Sequence, residues 1–418
     1  MNKWFTIFLI AISFHTLADE KKKTGISPEL VAKGKYLSTA ANCYSCHTSS
    51  HSAPFTGDVA FETPFGTIYS TNITPDRKTG IGSYSEKDFL NAMKHGYSSI
   101  RGYLYPAFPY TSYQHLSDDD VKAMWAYFKS LKPIYYENKS NDLMFPANIR
   151  LGLLGWNLFF MENTSYKENK DKTSVWNRGN YVSNALGHCG ECHNPRNFAQ
   201  AMDLSRHYQG NHIEGWLATD ITPKELRQQG WSKYDLMTYL KKGHSRQGIP
   251  AGSMGSVVHN STSHLSDDDL NAMATYLLDI DSDSLPEKQY HRINKDDMNM
   301  PGYTVYATYC AGCHGKEGQG FDPGAPAMMG NGSNTLTDPY QSVAFILRGL
   351  PAKRYSLTVA NAYMPAYVNR LNSKEIADLV TFMRTVWGGQ KEPVTPKYVE
   401  KVKERLKDEN WLYRHSEH

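Results

Sequence analysis

Apolar and polar positions recur in one order along the chain. The clearest stretch is "HLSDDDVKAMWAYF" (His115 to Phe128), where Val121, Met124, Trp125 and Phe128 fall on one face at helical spacing. It returns as "HLSDDDLNAMATYL" (His264 to Leu277) and more faintly as "RLNSKEIADLVTFM" (Arg370 to Met383). Each predicts a helix with a readable start. Ser117, Ser266 and Ser373 are natural N-caps, and the acidic residues that follow suit the positive end of a helix. The acidic triplets read simply as capped, solvated helix starts.

Two further pairs extend the repeat. "STNITPD" (Ser70 to Asp76) returns as "ATDITPK" (Ala218 to Lys224), and "GSYSEKDFLNAMKHGYS" (Gly82 to Ser98) as "QGWSKYDLMTYLKKGHS" (Gln229 to Ser245). Upstream of each set lies another helical pattern, "KGKYLSTAAN", "RGNYVSNALGH" or "PGYTVYATY", with a glycine near its start. Glycine is costly inside a helix, so it predicts a close crossing with a second helix. The fold class is mainly α, in three tandem units at 26–140, 174–285 and 290–390. Residues 141–173 form a linker, with "ENTSYKENKDKTS" exposed, and 391–418 a charged C-terminal tail that docks or frays.

The N-terminus has a different pattern. Lys3 precedes an apolar run from Trp4 to Phe14, and Leu17-Ala18 precedes an acidic start. This predicts a secretory signal over residues 1–18, too short for a comfortable membrane span. "LGLLGWNLFFM" (Leu151 to Met161) is apolar but stops at Glu162, and predicts a packed or interfacial segment. Composition adds little. Lys and Arg total 45 against 42 Asp and Glu, a net charge of +3 with no basic stripe, which gives no reason to expect a nucleic-acid partner.

The cysteines change the picture. There are six, and all lie in C-x-x-C-H motifs: "CYSCH" (Cys43, Cys46, His47), "CGECH" (Cys189, Cys192, His193) and "CAGCH" (Cys310, Cys313, His314). This is the pattern of c-type haem attachment. Two thiols at this spacing reach the two vinyl groups of one porphyrin. The next residue, histidine, then lies under the iron. Zinc sites, redox dithiols and disulfides compete with this reading, but three copies with no cysteine left over favour three covalently attached haems c.

A thioether on the far face closes the iron and raises its potential. In the third unit Met364 precedes a proline in "YMPAYVNRLNSKE", just upstream of the last helix; Met328 and Met329 are weaker candidates. In the second, Met254 lies in "GIPAGSMGSVVHNSTSHLSDDD", with His244, His259 and His264 as alternatives. In the first, the matching loop is "YLYPAFPYTSYQHLSDDD", and Phe108 falls near the position of Met254. No residue there ligates iron well. Met93, His95, His115, Met124 and Met144 lie elsewhere, and none is assigned. In "TPFGTIYSTNITPD", Asn72, the threonines and backbone amides could bind haem propionates, with Phe65, Ile68 and Tyr69 over the ring edge; a plain structural turn is the alternative.

The three motifs, together with "TPFGTIYSTNITPDRKTGIG" (Thr63 to Gly82), "YPAFPYTSY" (Tyr105 to Tyr113), "NSTSHLSDDDL" (Asn260 to Leu270) and "MPAY" (Met364 to Tyr367), give a resemblance over nearly the whole chain. It resembles the three-haem cytochrome c subunit of bacterial membrane-associated periplasmic dehydrogenases, which serve alcohols, aldehydes, gluconate and related sugars. The resemblance implies three cytochrome c-type haem domains and no catalytic site in this chain. It implies His47, His193 and His314 as proximal ligands and Met254 and Met364 as distal ones. Many family members have methionine where this chain has Phe108. It further implies a catalytic partner subunit of quinoprotein, flavoprotein or molybdenum type, delivery to ubiquinone or a terminal oxidase, and a periplasmic location with peripheral contact to the inner membrane. A free-standing multihaem carrier, or a haem protein with a ligand-binding first iron, are the alternatives.

Overall fold

The computed structural model describes residues 26–162, 164–280, 291–321, 324–354, 360–361 and 363–408. The expected signal (1–18), the expected boundary near 285–290 and the end of the tail lie outside the described residues. The fold is mainly α, with short two- and three-stranded sheets at its edges.

Each unit is built on one helix crossing. A leading helix (Pro28–Ala40, Ser174–Asn180 or Pro301–Tyr309) runs into a short attachment helix bearing the C-x-x-C-H motif. A closing helix (Asp118–Ser130, Asp267–Leu278 or Ser373–Val386) lies across it. The starts are set locally. Ser27 accepts from the Leu30 amide ahead of Pro28, and Thr173 accepts from the Trp176 amide. The repeated glycines are where the helices meet. A Cβ would stand 1.8 Å from the Ala123 carbonyl oxygen at Gly34, 1.9 Å from that of Ala272 at Gly179 and 2.0 Å from that of Asp378 at Gly302. No other residue fits at these crossings.

Ser117 and Ser266 cap their closing helices as expected. In the third unit the cap is Asn372, one residue before Ser373; its amide oxygen accepts from Lys374 and Glu375 and the Glu375 side chain completes a capping box. Asparagine is as good an acceptor at this position as serine, so Ser373 moves into the first turn.

The acidic triplets are more than solvated caps. Their third members, Asp120 and Asp269, are buried and bind tyrosines of the opposite unit. The Tyr181 hydroxyl donates to Asp120 Oδ2 at 2.6 Å and accepts from the Ser117 amide at 3.1 Å. The Tyr36 hydroxyl donates to Asp269 Oδ2 at 2.6 Å and accepts from the Ser266 amide at 3.2 Å. Lys33 pairs with Asp120 and Arg178 with Asp269 within their own units. The first two units are thus joined by reciprocal, two-fold-like contacts, and one core serves both. Leu37, Val121, Met124 and Phe128 of the first pack in the same cluster as Val182, Leu186, Leu265 and Leu270 of the second.

The connecting segment is structured. Asp142–Leu143 adds a strand to the hairpin Ala60–Thr63/Gly66–Tyr69. The helix Gly152–Phe160 then straps both units: Asn157 accepts from the Tyr110 hydroxyl at 2.7 Å, and the Trp156 indole donates to the Ala199 carbonyl at 3.0 Å. The third unit has its own core, and the described part of the charged segment after 390 belongs to it. Pro396–Asp408 is a helix whose Val399, Val402 and Leu406 are buried against the closing helix.

Candidate haem sites

All three motif histidines are held in one way. His47 Nδ1 lies 2.7 Å from the Thr71 carbonyl oxygen, His193 Nδ1 2.7 Å from that of Thr219, and His314 Nδ1 2.8 Å from that of Pro326. A carbonyl only accepts, so Nδ1 carries the proton and Nε2 keeps its lone pair. This fixes both tautomer and ring orientation, as a metal-ligating histidine requires. Burial holds each imidazole neutral: it lowers His47 to about 4 and also lowers His193 and His314.

The repeated "STNITPD" and "ATDITPK" loops therefore have a definite task, which is to present the Thr71 and Thr219 carbonyls. Asn72 is wholly buried and committed to the loop itself. Its Nδ2 donates to Thr79 and to the Ile134 carbonyl, and its Oδ1 accepts from the Thr74 amide. It is not free to bind a propionate. Phe65 lies exposed at the hairpin turn and Tyr69 under Lys139. The third unit reaches the same histidine geometry from the unrelated sequence "GAPAMM", so no sequence repeat marks it there.

Burial keeps five of the six thiols protonated. All six cysteines are unpaired. Burial pushes Cys43, Cys192 and Cys310 up to about 12 and Cys46 and Cys189 up to about 11. A redox dithiol needs the opposite shift, towards thiolate. Among the described residues no three His, Cys, Asp or Glu side chains converge as a metal cage.

In the third unit the predicted residues come together. Cys310, Cys313, His314 and Met364 line one cavity of about 310 Å³, walled by Ile346, Leu350, Tyr367 and Leu379. Met364 is fixed through its backbone: Leu350 and Met364 exchange hydrogen bonds of 2.8 and 2.9 Å. At the neighbouring Gly349 (φ 64°) a Cβ would lie 2.3 Å from the Met364 carbonyl oxygen. Met328 lines the cavity as well, two residues after the carbonyl that holds His314.

In the second unit Met254 lies on a helix, Gly252–Asn260, where a small-residue loop was expected. Gly252 (φ 54°) permits this start, because a Cβ there would meet the Trp216 ring at 2.4 Å. Met254 packs, partly buried, against the core shared by the first two units. His264 bonds the His259 carbonyl. In the first unit Phe108 packs against that same core, edge-on to Tyr113 at 5.5 Å. Met93 and Met124 are buried in it, His95 and Met144 are exposed, and His115 faces Glu162 at 3.9 Å.

The cytochrome c family profile matches residues 31–132 and 300–387. The gluconate 2-dehydrogenase cytochrome c subunit of Pantoea cypripedii is 36% identical over 96% of this chain and 94% of its own length. The alcohol dehydrogenase (quinone) cytochrome c subunit of Gluconobacter oxydans (strain 621H) is 36% identical over 86% of this chain and 79% of its own. The fructose dehydrogenase cytochrome subunit of Gluconobacter japonicus is 32% identical over 89% and 82%. The chain belongs to this family of dehydrogenase cytochrome c subunits.

A cytochrome c subunit binds haem c covalently and passes electrons on; substrate chemistry belongs to the dehydrogenase partner. The residues present fit that group. Each motif histidine offers Nε2, and two thiols, an imidazole and a thioether line the third cavity together.

Proposed function

We propose that this cytochrome c subunit carries electrons through three covalently bound haems from a dehydrogenase catalytic subunit to ubiquinone or a terminal oxidase. The observation that carries the reading is the common setting of His47, His193 and His314. Three motifs in three local sequences share one tautomer and one free nitrogen, the arrangement that iron ligation needs. The haems attach at Cys43/Cys46, Cys189/Cys192 and Cys310/Cys313, one in each of the units 26–140, 174–285 and 290–390. Met254 and Met364 are the distal ligands of the second and third. Haem supplies one-electron chemistry, and the chain supplies ligands and burial that tune it.

The second unit is the middle of the path. It shares a core with the first, and the tip of its hairpin Asn211–Ile213/Trp216–Ala218 docks on the third, where Arg348 donates to the Glu214 and Gly215 carbonyls and lies 3.9 Å from the Trp216 ring centroid. Its Ile249 also lines the third cavity.

The partner is a flavin, quinone or molybdenum dehydrogenase, and the setting is the periplasm. The relative named for alcohol dehydrogenase (quinone) favours a quinone acceptor. Peripheral attachment to the inner membrane is supported by the strap helix Gly152–Phe160. It has no charged residue, and Leu151, Leu158 and Phe159 are 70%, 77% and 78% exposed. Among the described residues no helix is long and apolar enough to cross a membrane. Copurification of the tagged chain from its own cells tests the assignment. A dehydrogenase subunit that reduces these haems with substrate is the expected companion. A chain that purifies alone and takes electrons only from small cytochromes would overturn it.

A further inference from the structure

The leading helices of the first two units are in register at their glycines and out of register at their cysteines. Gly34 and Gly179 occupy the same crossing, and Tyr36 and Tyr181, two residues later, make the same reciprocal bond. From there to the first cysteine the first unit has "LSTAAN" and the second "VSNALGH", one residue more. The extra residue is taken up in a single π turn, Tyr181–Leu186. Such turns are less stable than α-helix and concentrate at functional sites. Both units then enter the motif through a left-handed residue, Asn42 at φ 51° and His188 at φ 39°.

The π turn delivers His188 to the junction of the two units. Its Nε2 lies 3.3 Å from the Ala41 carbonyl oxygen and donates to it. Its ring meets Tyr113 edge-on, with centroids 5.6 Å apart, and the Tyr113 hydroxyl donates to the same carbonyl at 3.1 Å. Ala41 is two residues before Cys43, and His188 adjoins Cys189. One hydrogen bond therefore joins the attachment segment of the first haem to that of the second.

We propose that His188 is the bridge by which electrons pass between the first and second haems. The route runs from Cys189 along the backbone to His188, across Nε2–H to the Ala41 carbonyl, and through Asn42 to Cys43. One iron is oxidised as the other is reduced, and no bond changes. Tunnelling falls off less steeply through bonded and hydrogen-bonded atoms than across a gap, so this contact sets the coupling. Met254's helix adds a second contact nearby, with the Asn260 amide donating to Ser45 Oγ at 2.8 Å, but its partner is a side chain off the direct line.

The inference rests on reading both motifs as haem sites, so haem content is measured first; a protein without these haems refutes that reading. Two variants of the full chain then test the bridge. His188→Asn copies the residue the first unit uses at this turn and is too short to reach Ala41. His188→Gln restores a donor of similar reach. After photoreduction by a single electron, exchange between the first and second haems should slow several-fold in His188→Asn and recover in His188→Gln, with potentials unchanged in both. Exchange at the native rate in His188→Asn, or equal slowing in both variants, would overturn the proposal.

Discussion

At the residue scale, one absence carries the sharpest consequence. Phe108 falls in the segment that aligns, by the sequence repeat, with the one carrying Met254 in the second unit, and it packs on the core. Without a thioether the first haem should have the lowest potential of the three. Phe108→Met should raise that potential in a redox titration; an unchanged value would mean that this loop does not face the first iron. The motif cysteines and histidines were legible because their chemistry dictates residue type and spacing together. The carbonyls of Thr71, Thr219 and Pro326 were not, because a backbone acceptor leaves no mark on residue identity. Only the repeated loop around the first two hinted that something there was fixed.

At the element scale, the helix crossings could be read from glycines and two of the three caps from serines, but their partners across units could not. A tyrosine in a leading helix looks like ordinary core until the opposite Asp is beside it. Tyr181→Phe should cost about 1–3 kcal/mol, since it strips a buried carboxylate and the Ser117 amide of a partner. Chemical unfolding of the haem-loaded chain measures this, and no loss would contradict the cross-unit contact. Asp269 gives the same junction a pH dependence. Burial alone would raise its carboxyl, but the bonds from Arg178 and Tyr36 outweigh burial and hold it below the usual carboxylate range. Its contribution is therefore complete above about pH 4 and is lost as pH falls through the lowered value. The penalty of Asp269→Asn should be full at neutral pH and shrink in acid.

The C-terminal helix shows why patterning sometimes hides. Val399, Val402 and Leu406 do form a stripe, but they sit among so many charges that the segment reads as a tail until the third core is there to receive it. The strap helix is the converse. Its apolar run was plain, but which side chains pack inward depends on Tyr110 and Ala199, which lie in different units. Leu158→Asp should loosen binding to lipid vesicles without altering haem spectra, since Leu158 points away from both units. Unchanged binding would remove this helix from the membrane contact.

At the scale of the whole molecule, the first two units form one body with a common core, and the third is docked through the second unit's hairpin. This order could not be seen from the repeat alone, which presents three similar pieces in a row. The reciprocal tyrosine contacts explain the pairing. The leading helix of the third unit has Thr304 at the place of Tyr36 and Tyr181, so it lacks the side chain that makes the exchange.

The proposed electron conduction by this subunit requires three attached haems. Intact mass of the mature protein, together with its haem absorbance per chain, tests it most directly. Three haems per chain and no free thiol are expected, with all six cysteines consumed as thioethers. Fewer than three haems, with a motif pair left as free thiols or as a disulfide, would contradict it.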